Sequence, residues 1–283
     1  MSPMIRLIAT DLDGTLLSDP NTIHPDNVAA LREAVEAGVH LVAASGRRSE
    51  SSSLLMLDAG FQTAHIIGAN GCQICDAPLA PPFCARYLPV EAAREGFAIA
   101  QSYGLIVSLY TDHTVTYGEE AGMRLAESGD EIGFHERLRA CGLVRVCAGE
   151  RALEAALREG VFKLFAMSRT DEDVDGVLAA RRACARLPHT ELTSSWHNNF
   201  ELMPAGVHKG WALETLACRL GIAREEVVAF GDSENDIPML RWAGTGVAMA
   251  NASEEVRAAA DAVTGPCREG GVAQALRRML RGR

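Results

Sequence analysis

Short, continuous apolar runs alternate in the first third of the chain with stretches whose apolar residues recur at helical spacing. Ile5 to Thr10 reads as a buried strand; Val28, Leu31 and Val35 then mark one face of a helix, Gly38 stops it, and Val39 to Ala44 follows as a second strand. Ile66-Ile67 supplies a further short strand, with the turn-prone Gly68-Ala69-Asn70-Gly71 behind it. The last third repeats the alternation. Lys209 to Leu220 reads as helix, Val227 to Gly231 as strand, Ile237 to Ala243 as helix and Gly246 to Met249 as strand. A short helix at Glu254 to Ala260, a strand at Ala262-Val263 and a helix from Val272 to Leu280 complete the series. Apolar strands between amphipathic helices predict an α/β fold, a doubly wound and mainly parallel sheet covered on both faces.

The middle of the chain has a different rhythm. Beyond a breaker cluster at Pro78, Pro81 and Pro82, strands come in adjacent pairs: Ile106 to Tyr110 with Thr114 to Tyr117, and Glu191 to Ser195 with Phe200 to Met203. Helical stretches at Val90 to Tyr103 and Val174 to Leu187 would cover one face of a mainly antiparallel sheet. The expectation is an α+β domain over residues 83–188, inserted into a core made of residues 1–82 and 189–283.

Composition narrows the functions open to such a chain. Of 283 residues 48% are hydrophobic, enough for a large interior, and the formal net charge of −10 disfavours a nucleic-acid or anionic-membrane partner. No stretch approaches the roughly 20 apolar residues of a membrane helix, and Met1 to Thr10 lacks the long apolar region and cleavage site of a signal peptide. Eight cysteines scattered in apolar contexts suit free thiols in a reducing compartment, so the cytoplasm is the expected location. Cys72-Gln73-Ile74-Cys75 has the spacing of half a zinc site, but no second pair follows it, and two hairpin thiols are the simpler reading.

Candidate chemistry gathers where strands end, the edge at which open α/β sheets bind ligands. Asp11-Leu12-Asp13-Gly14-Thr15 follows the first strand, and close carboxylates repel unless a cation sits between them. An Asp-Gly turn accounts for Asp13 to Thr15 but leaves Asp11 without a purpose. Gly231-Asp232-Ser233-Glu234-Asn235-Asp236 follows another strand, and two such ends in one sheet can bring Asp11 and Asp232 together as oxygen ligands for Mg²⁺; alone, this second cluster reads equally well as a helix cap. Ser45-Gly46-Arg47 offers a hydroxyl and a backbone N–H at the end of the second strand. Lys209 opens a helix, where a cation opposes the dipole unless an anion compensates it.

Together these pieces resemble the four motifs of the haloacid dehalogenase superfamily of phosphotransferases, specifically the Cof-like phosphatases, whose large cap is inserted between the second and third motifs. Asp11-Leu12-Asp13-Gly14-Thr15 is similar to the first motif, Ser45-Gly46-Arg47 to the second, Lys209-Gly210 to the third and Gly231 to Asp236 to the fourth; Gly68 to Gly71, Glu201 to Pro204 and Gly246 to Ala252 extend the likeness. The resemblance implies a Rossmann-like core with a cap that closes over the site. It also implies a Mg²⁺-dependent phosphatase of small phosphorylated metabolites, with Asp11 as nucleophile and Asp13 as general acid and base. The metal would be held by Asp11, the Asp13 carbonyl and Asp232; Ser45, Gly46, Lys209 and Asn235 would bind phosphate, with Asp236, Arg47 and Asn70 in support. Two rivals use the same fold: a phosphomutase, which returns the phosphoryl group to another hydroxyl, and a phosphate-sensing protein, which predicts a broken acid pair. His113 and His197-Asn198-Asn199 are weaker candidates for substrate contact in the cap.

Overall fold

The computed structural model describes residues 4–19, 22–118, 139–142, 145–148, 150–170 and 174–281. Met1 to Pro3, part of the amino-terminal stretch considered above, lie outside them. The chain divides into two compact units, Met1–Ala85 with His208–Arg283, and Arg86–Val207.

The first unit is built on β1 (Leu7–Thr10), β4 (His40–Ala44), β5 (His65–Gly68), β14 (Val227–Gly231), β15 (Thr245–Ala248) and β16 (Ala262–Val263), all parallel, with β6 (Gln73–Cys75) and β7 (Cys84–Ala85) added antiparallel at one edge. A small ribbon of β2 (Leu17–Asp19) and β3 (Thr22–Ile23) lies outside the sheet, whose order is β16-β15-β14-β1-β4-β5-β6-β7. β1 therefore runs between β4 and β14, so the loops after residues 10, 44 and 231 leave the sheet side by side. β1 and β14 are buried along their whole length, as strands covered on both faces must be.

The described helices of this unit are α1 (Pro25–Glu36), α2 (Ser49–Asp58), α6 (Lys209–Leu220), α7 (Ile237–Trp242) and α9 (Gly271–Arg281), with the short α8 (Glu254–Ala258) beside them. α1 starts on Pro25, whose missing N–H costs nothing in a first turn, and the His24 ring accepts from the Asp26 N–H. α6 starts the same way, His208 accepting from the Trp211 N–H, and ends on left-handed Gly221. Leu213 and Leu216 of α6 and Met239 and Leu240 of α7 pack on Leu7, Ala9, Val42, Ala44 and Ala229. Each fully buried Leu here contributes about 1.5–3 kcal/mol. α1 and α9 pack on each other and are tied by buried Asn27, which donates to Leu16 O and accepts from the Ala273 N–H. Cys72 and Cys75 are buried thiols outside any disulfide, and burial pushes the Cys75 thiol up to about 12, which suits hairpin thiols and not a redox or metal pair.

The second unit holds β8 (Ile106–Thr111), β9 (Thr114–Tyr117), β10 (Arg145–Ala148), β11 (Val161–Met167), β12 (Thr190–Thr193) and β13 (Asn199–Pro204) in the order β10-β9-β8-β11-β13-β12. Among the described residues of this unit, only β9 and β10 pair in parallel. α3 (Val90–Ser102), α4 (Glu150–Glu159) and α5 (Val174–Cys184) bury Phe97, Leu157 and Val177 against Val107, Leu109, Leu164, Phe200 and Leu202. The boundary expected after residue 188 differs from the structure: β13 is an interior strand of this sheet, paired with both β11 and β12, so the division comes after Val207. At the other end, β7 pairs with β6 and carries the first unit to Ala85 rather than 82.

Candidate active site

Asp11 is the first residue past β1, and its N–H donates to Phe230 O of the neighbouring strand at 2.9 Å. The chain then turns sharply. Gly14 has φ of +77°, and a Cβ there would lie 2.5 Å from Asp232 Oδ2, so only glycine admits the first acidic loop so close to the fourth. Thr15 Oγ1 donates to Asp232 Oδ1 at 2.6 Å, and Ser233 Oγ donates to Asp232 Oδ2 at 3.2 Å. Asn251 Nδ2 donates to Gly14 O at 2.8 Å and steadies the turn from the loop after β15.

Lys209, fully buried, links the two acidic loops. Its ammonium donates to Asp11 Oδ1 and to Asp236 Oδ1, both at 2.6 Å. Burial works to lower the lysine's pKa, but the Asp11 and Asp236 carboxylates outweigh it and hold it above the ordinary value. The two carboxylates compensate for the ammonium's unfavourable place at a helix start. Asp236 Oδ2 accepts from the Asp232 and Ser233 N–H groups at 2.9 and 3.0 Å, so both its oxygens are engaged and it organises the loop.

One oxygen from each of Asp11, Asp232 and Asp236 falls within a 4.8 Å cluster. Burial raises the Asp11 pKa well above its usual range, helped by Asp236, Asp232 and Asp13 and opposed by Lys209. Burial, then Asp236, pushes Asp232 up to about 7 against the bonds from Thr15 and Ser233. Three carboxylates face one ammonium, which leaves two negative charges in excess when all three are ionised. That surplus, on oxygen donors alone, fits a hard divalent cation such as Mg²⁺.

The other expected residues join from the neighbouring strand ends. Arg47 engages both oxygens of Asp13, Nε to Oδ2 at 2.7 Å and a terminal nitrogen to Oδ1 at 2.5 Å. Buried Ser45 accepts at Oγ from the Arg47 N–H, and partly exposed Gly46 lies between them. Asn70, left-handed at φ +56°, donates its N–H to Ser45 O, and its side-chain oxygen accepts from Asn235 Nδ2 at 3.0 Å. Asn235 Oδ1 is buried without a hydrogen-bond partner. All ten expected residues thus lie in one unit, in two groups: Asp11, Lys209, Asp232 and Asp236 around shared charge, and Asp13, Ser45, Gly46, Arg47, Asn70 and Asn235 around the second strand end. Sequence reasoning missed the supports Ser233 and Asn251 and read Thr15 only as part of an Asp-Gly turn, although Thr15 and Ser233 stand inside the motifs. Asn251 carried no signal of its own beyond its place in the Gly246 to Ala252 stretch.

The model of the haloacid dehalogenase-like hydrolases matches residues 8–276. The chain belongs to this family. This haloacid dehalogenase-like hydrolase is 31% identical over 281 residues to a 5-amino-6-(5-phospho-D-ribitylamino)uracil phosphatase of Bacillus subtilis, an alignment covering 96% of the chain and 95% of the relative. It is 30% identical to the pyridoxal phosphate phosphatase of Escherichia coli, over 95% of the chain and 96% of that protein. The solved structure of a haloacid dehalogenase-like hydrolase from B. subtilis superposes with a TM-score of 0.77 at 28% identity, covering 97% of this chain and all of that one. With relatives of this kind along its whole length, the hydrolase is a phosphatase of the Cof-like branch. Phosphatases of this family generally use a divalent metal, and no helix among the described residues is long and apolar enough to cross a membrane.

Proposed function

We propose that the chain is a Mg²⁺-dependent phosphomonoesterase acting on small phosphorylated metabolites, sugar phosphates or phosphorylated cofactors, through an aspartyl-phosphate on Asp11. The observation that carries this reading is the buried Asp11 carboxylate at a strand end, one oxygen held by Lys209 and the Asp232 carboxylate alongside. The substrates named for two relatives, a ribitylaminouracil phosphate and pyridoxal phosphate, are small phosphorylated compounds of this kind.

In the first step the Asp11 carboxylate attacks phosphorus, the bond to the ester oxygen breaks, and Asp13 gives the leaving alcohol its proton. In the second, Asp13 takes a proton from water, the water oxygen attacks phosphorus, and the acyl-phosphate bond breaks to return Asp11 as carboxylate and release inorganic phosphate. Arg47 holds both Asp13 oxygens in the resting state, the arrangement of a charged base, so one of them must come free before Asp13 acts as an acid. Ser45, the Gly46 N–H, Lys209 and Asn235 would bind the non-bridging oxygens. Asp11, Asp232 and the Asp13 carbonyl would hold Mg²⁺, with Asp236 fixing the loop; the ion supplies charge neutralisation where an anionic nucleophile meets an anionic phosphate.

The test is phosphate release by wild type and Asp11→Asn from sugar phosphates, nucleotides and pyridoxal phosphate, with and without Mg²⁺. The expected result is Mg²⁺-dependent release that disappears in the variant. Release that survives Asp11→Asn overturns the nucleophile assignment, and an isomerised sugar phosphate in place of free phosphate establishes a mutase.

A further inference from the structure

The turn that carries Asp13 is anchored by side chains far from it in sequence. Asp13 (φ −75°, ψ 119°) and Gly14 (φ 77°, ψ −2°) have the dihedral angles of a type II turn, and Gly14 is obligatory there because a Cβ would meet Asp232. Glycine fits, but it also leaves the backbone freer than any other residue does. Asn251 supplies a hold at this point: its Nδ2 donates to Gly14 O at 2.8 Å and its Oδ1 accepts from the Cys267 N–H at 3.0 Å. A carbonyl at one end and an N–H at the other fix which way the amide faces.

A second amide repeats this arrangement two residues further along the loop. Asn27 donates from Nδ2 to Leu16 O at 3.3 Å and accepts at Oδ1 from the Ala273 N–H at 2.9 Å. Each asparagine thus holds a carbonyl of the first acidic loop with its NH2 group and a backbone N–H of residues 267–273 with its oxygen. That segment is itself fixed: Thr264 donates its N–H to Ala248 O and its hydroxyl to Gly271 O, where α9 begins. It also lies close to the acidic cluster, since burial and then the Asp232 carboxylate push the Cys267 thiol up. The two clamps differ in burial. Asn27 is fully buried, whereas Asn251 is exposed, and a hydrogen bond that water can replace adds little net stability. What the Asn251 bonds secure is the direction of one peptide.

We infer that Asn251 is a positioning residue for the phosphatase reaction: by tying the Gly14 peptide to Cys267 it sets the Asp13 carboxyl and carbonyl relative to Asp11 and Asp232, and it makes the backbone at Cys267 part of the catalytic frame. Without it the turn is free to rotate at Gly14, even with the Thr15–Asp232 bond and the Arg47–Asp13 fork in place. Ser45, Gly46 and Lys209, the residues assigned to phosphate, are untouched. The loss therefore falls on kcat and on Mg²⁺ affinity, and not on KM. The part in catalysis rests on the phosphatase reading; the hold on the turn rests on the first unit alone.

The test uses the full-length chain with p-nitrophenyl phosphate as substrate and Mg²⁺ alone as the calorimetric probe. Asn251→Ala is expected to lower kcat about tenfold with KM within about twofold of wild type, and to weaken Mg²⁺ binding about fivefold. Its melting temperature in chelator should stay within about 2 °C of wild type. Cys267→Pro deletes the N–H that Asn251 accepts, and its fixed φ suits the first position of the Cys267–Glu269 turn. It is compared with Cys267→Ala, which loses the same thiol and keeps the N–H, and its kcat should be about threefold lower. Wild-type kcat in Asn251→Ala, or equal kcat in the two Cys267 variants, overturns the proposal. If wild type releases no phosphate, the phosphatase reading fails and the Mg²⁺ titration decides the hold on the turn. Weaker binding in Asn251→Ala upholds it, and unchanged or absent binding overturns it.

Discussion

Replacing Lys209 with methionine should destabilise the first unit in a way that depends on pH. The ammonium is fully buried and is shared between Asp11 and Asp236. Without it, Asp236 retains its two backbone N–H donors, whereas Asp11 loses the one influence that lowers its pKa. The cheapest response is for Asp11 to take up a proton. At pH 7, protonating a carboxylate of ordinary pKa costs about 1.36 kcal/mol per pH unit, or about 4 kcal/mol in all, within the range of about 3–5 kcal/mol for breaking a buried ion pair. At pH 5 the same protonation costs about 1.5 kcal/mol. The sign follows from linkage: an acid whose folded pKa lies above its unfolded one binds more protons when folded, so the variant gains stability as pH falls from 7 to 5. Urea unfolding in chelator, followed by the fluorescence of Trp211 and Trp242 in the first unit, reads the difference between variant and wild type at each pH. A loss equal at pH 5 and pH 7 would refute the charge argument and leave only lost packing.

Two further outcomes follow from the same site. Because Asp232 is pushed up to about 7, the cation-free protein should gain thermal stability as pH falls from 7 towards 4, and saturating Mg²⁺ should abolish that gradient by keeping the carboxylate charged; melting curves with Mg²⁺ and with chelator test this, and parallel curves would refute it. Arg47→Ala should lower kcat about tenfold or more with little change in KM, since Asp13 loses the fork that orients it, and Arg47→Lys should restore only part because an ammonium cannot reproduce two parallel bonds. Wild-type turnover in Arg47→Ala would remove the positioning role.

Much of the first unit was legible because each signal is local. Apolar runs with glycine or proline at their ends mark strands and helices whatever the rest of the chain does, and the predicted helix at Lys209 to Leu220 and strand at Val227 to Gly231 match the structure residue for residue. Other elements hide from such reading. α2 opens with four serines among its first five residues, side chains that compete for backbone hydrogen bonds and favour turns, and it is helical with all four of them buried against neighbours. β11 carries Lys163, a charge whose ion pair with Glu201, distant in sequence, helps make it tolerable inside a sheet. For the same reason the end of the second unit was misplaced: nothing local says that residues 199–204 pair with β11. In the site, the acids and the lysine were legible as residue types in order, whereas the Asp13–Arg47 fork and the Asn70–Asn235 link are tertiary pairings without a sequence mark.

The position of β1 between β4 and β14 also sets a timetable for biosynthesis. β4 is available to a nascent chain almost at once, but β14 begins only at Val227, after the entire second unit has been translated. Until then one side of β1, the Leu7 to Thr10 strand, is a bare hydrophobic edge with its ladder groups unsatisfied. The ribosome therefore releases a chain in which β1 has waited for β14 through the whole of the second unit, and a premature stop anywhere between β4 and β14 yields an adhesive fragment rather than a merely inactive one.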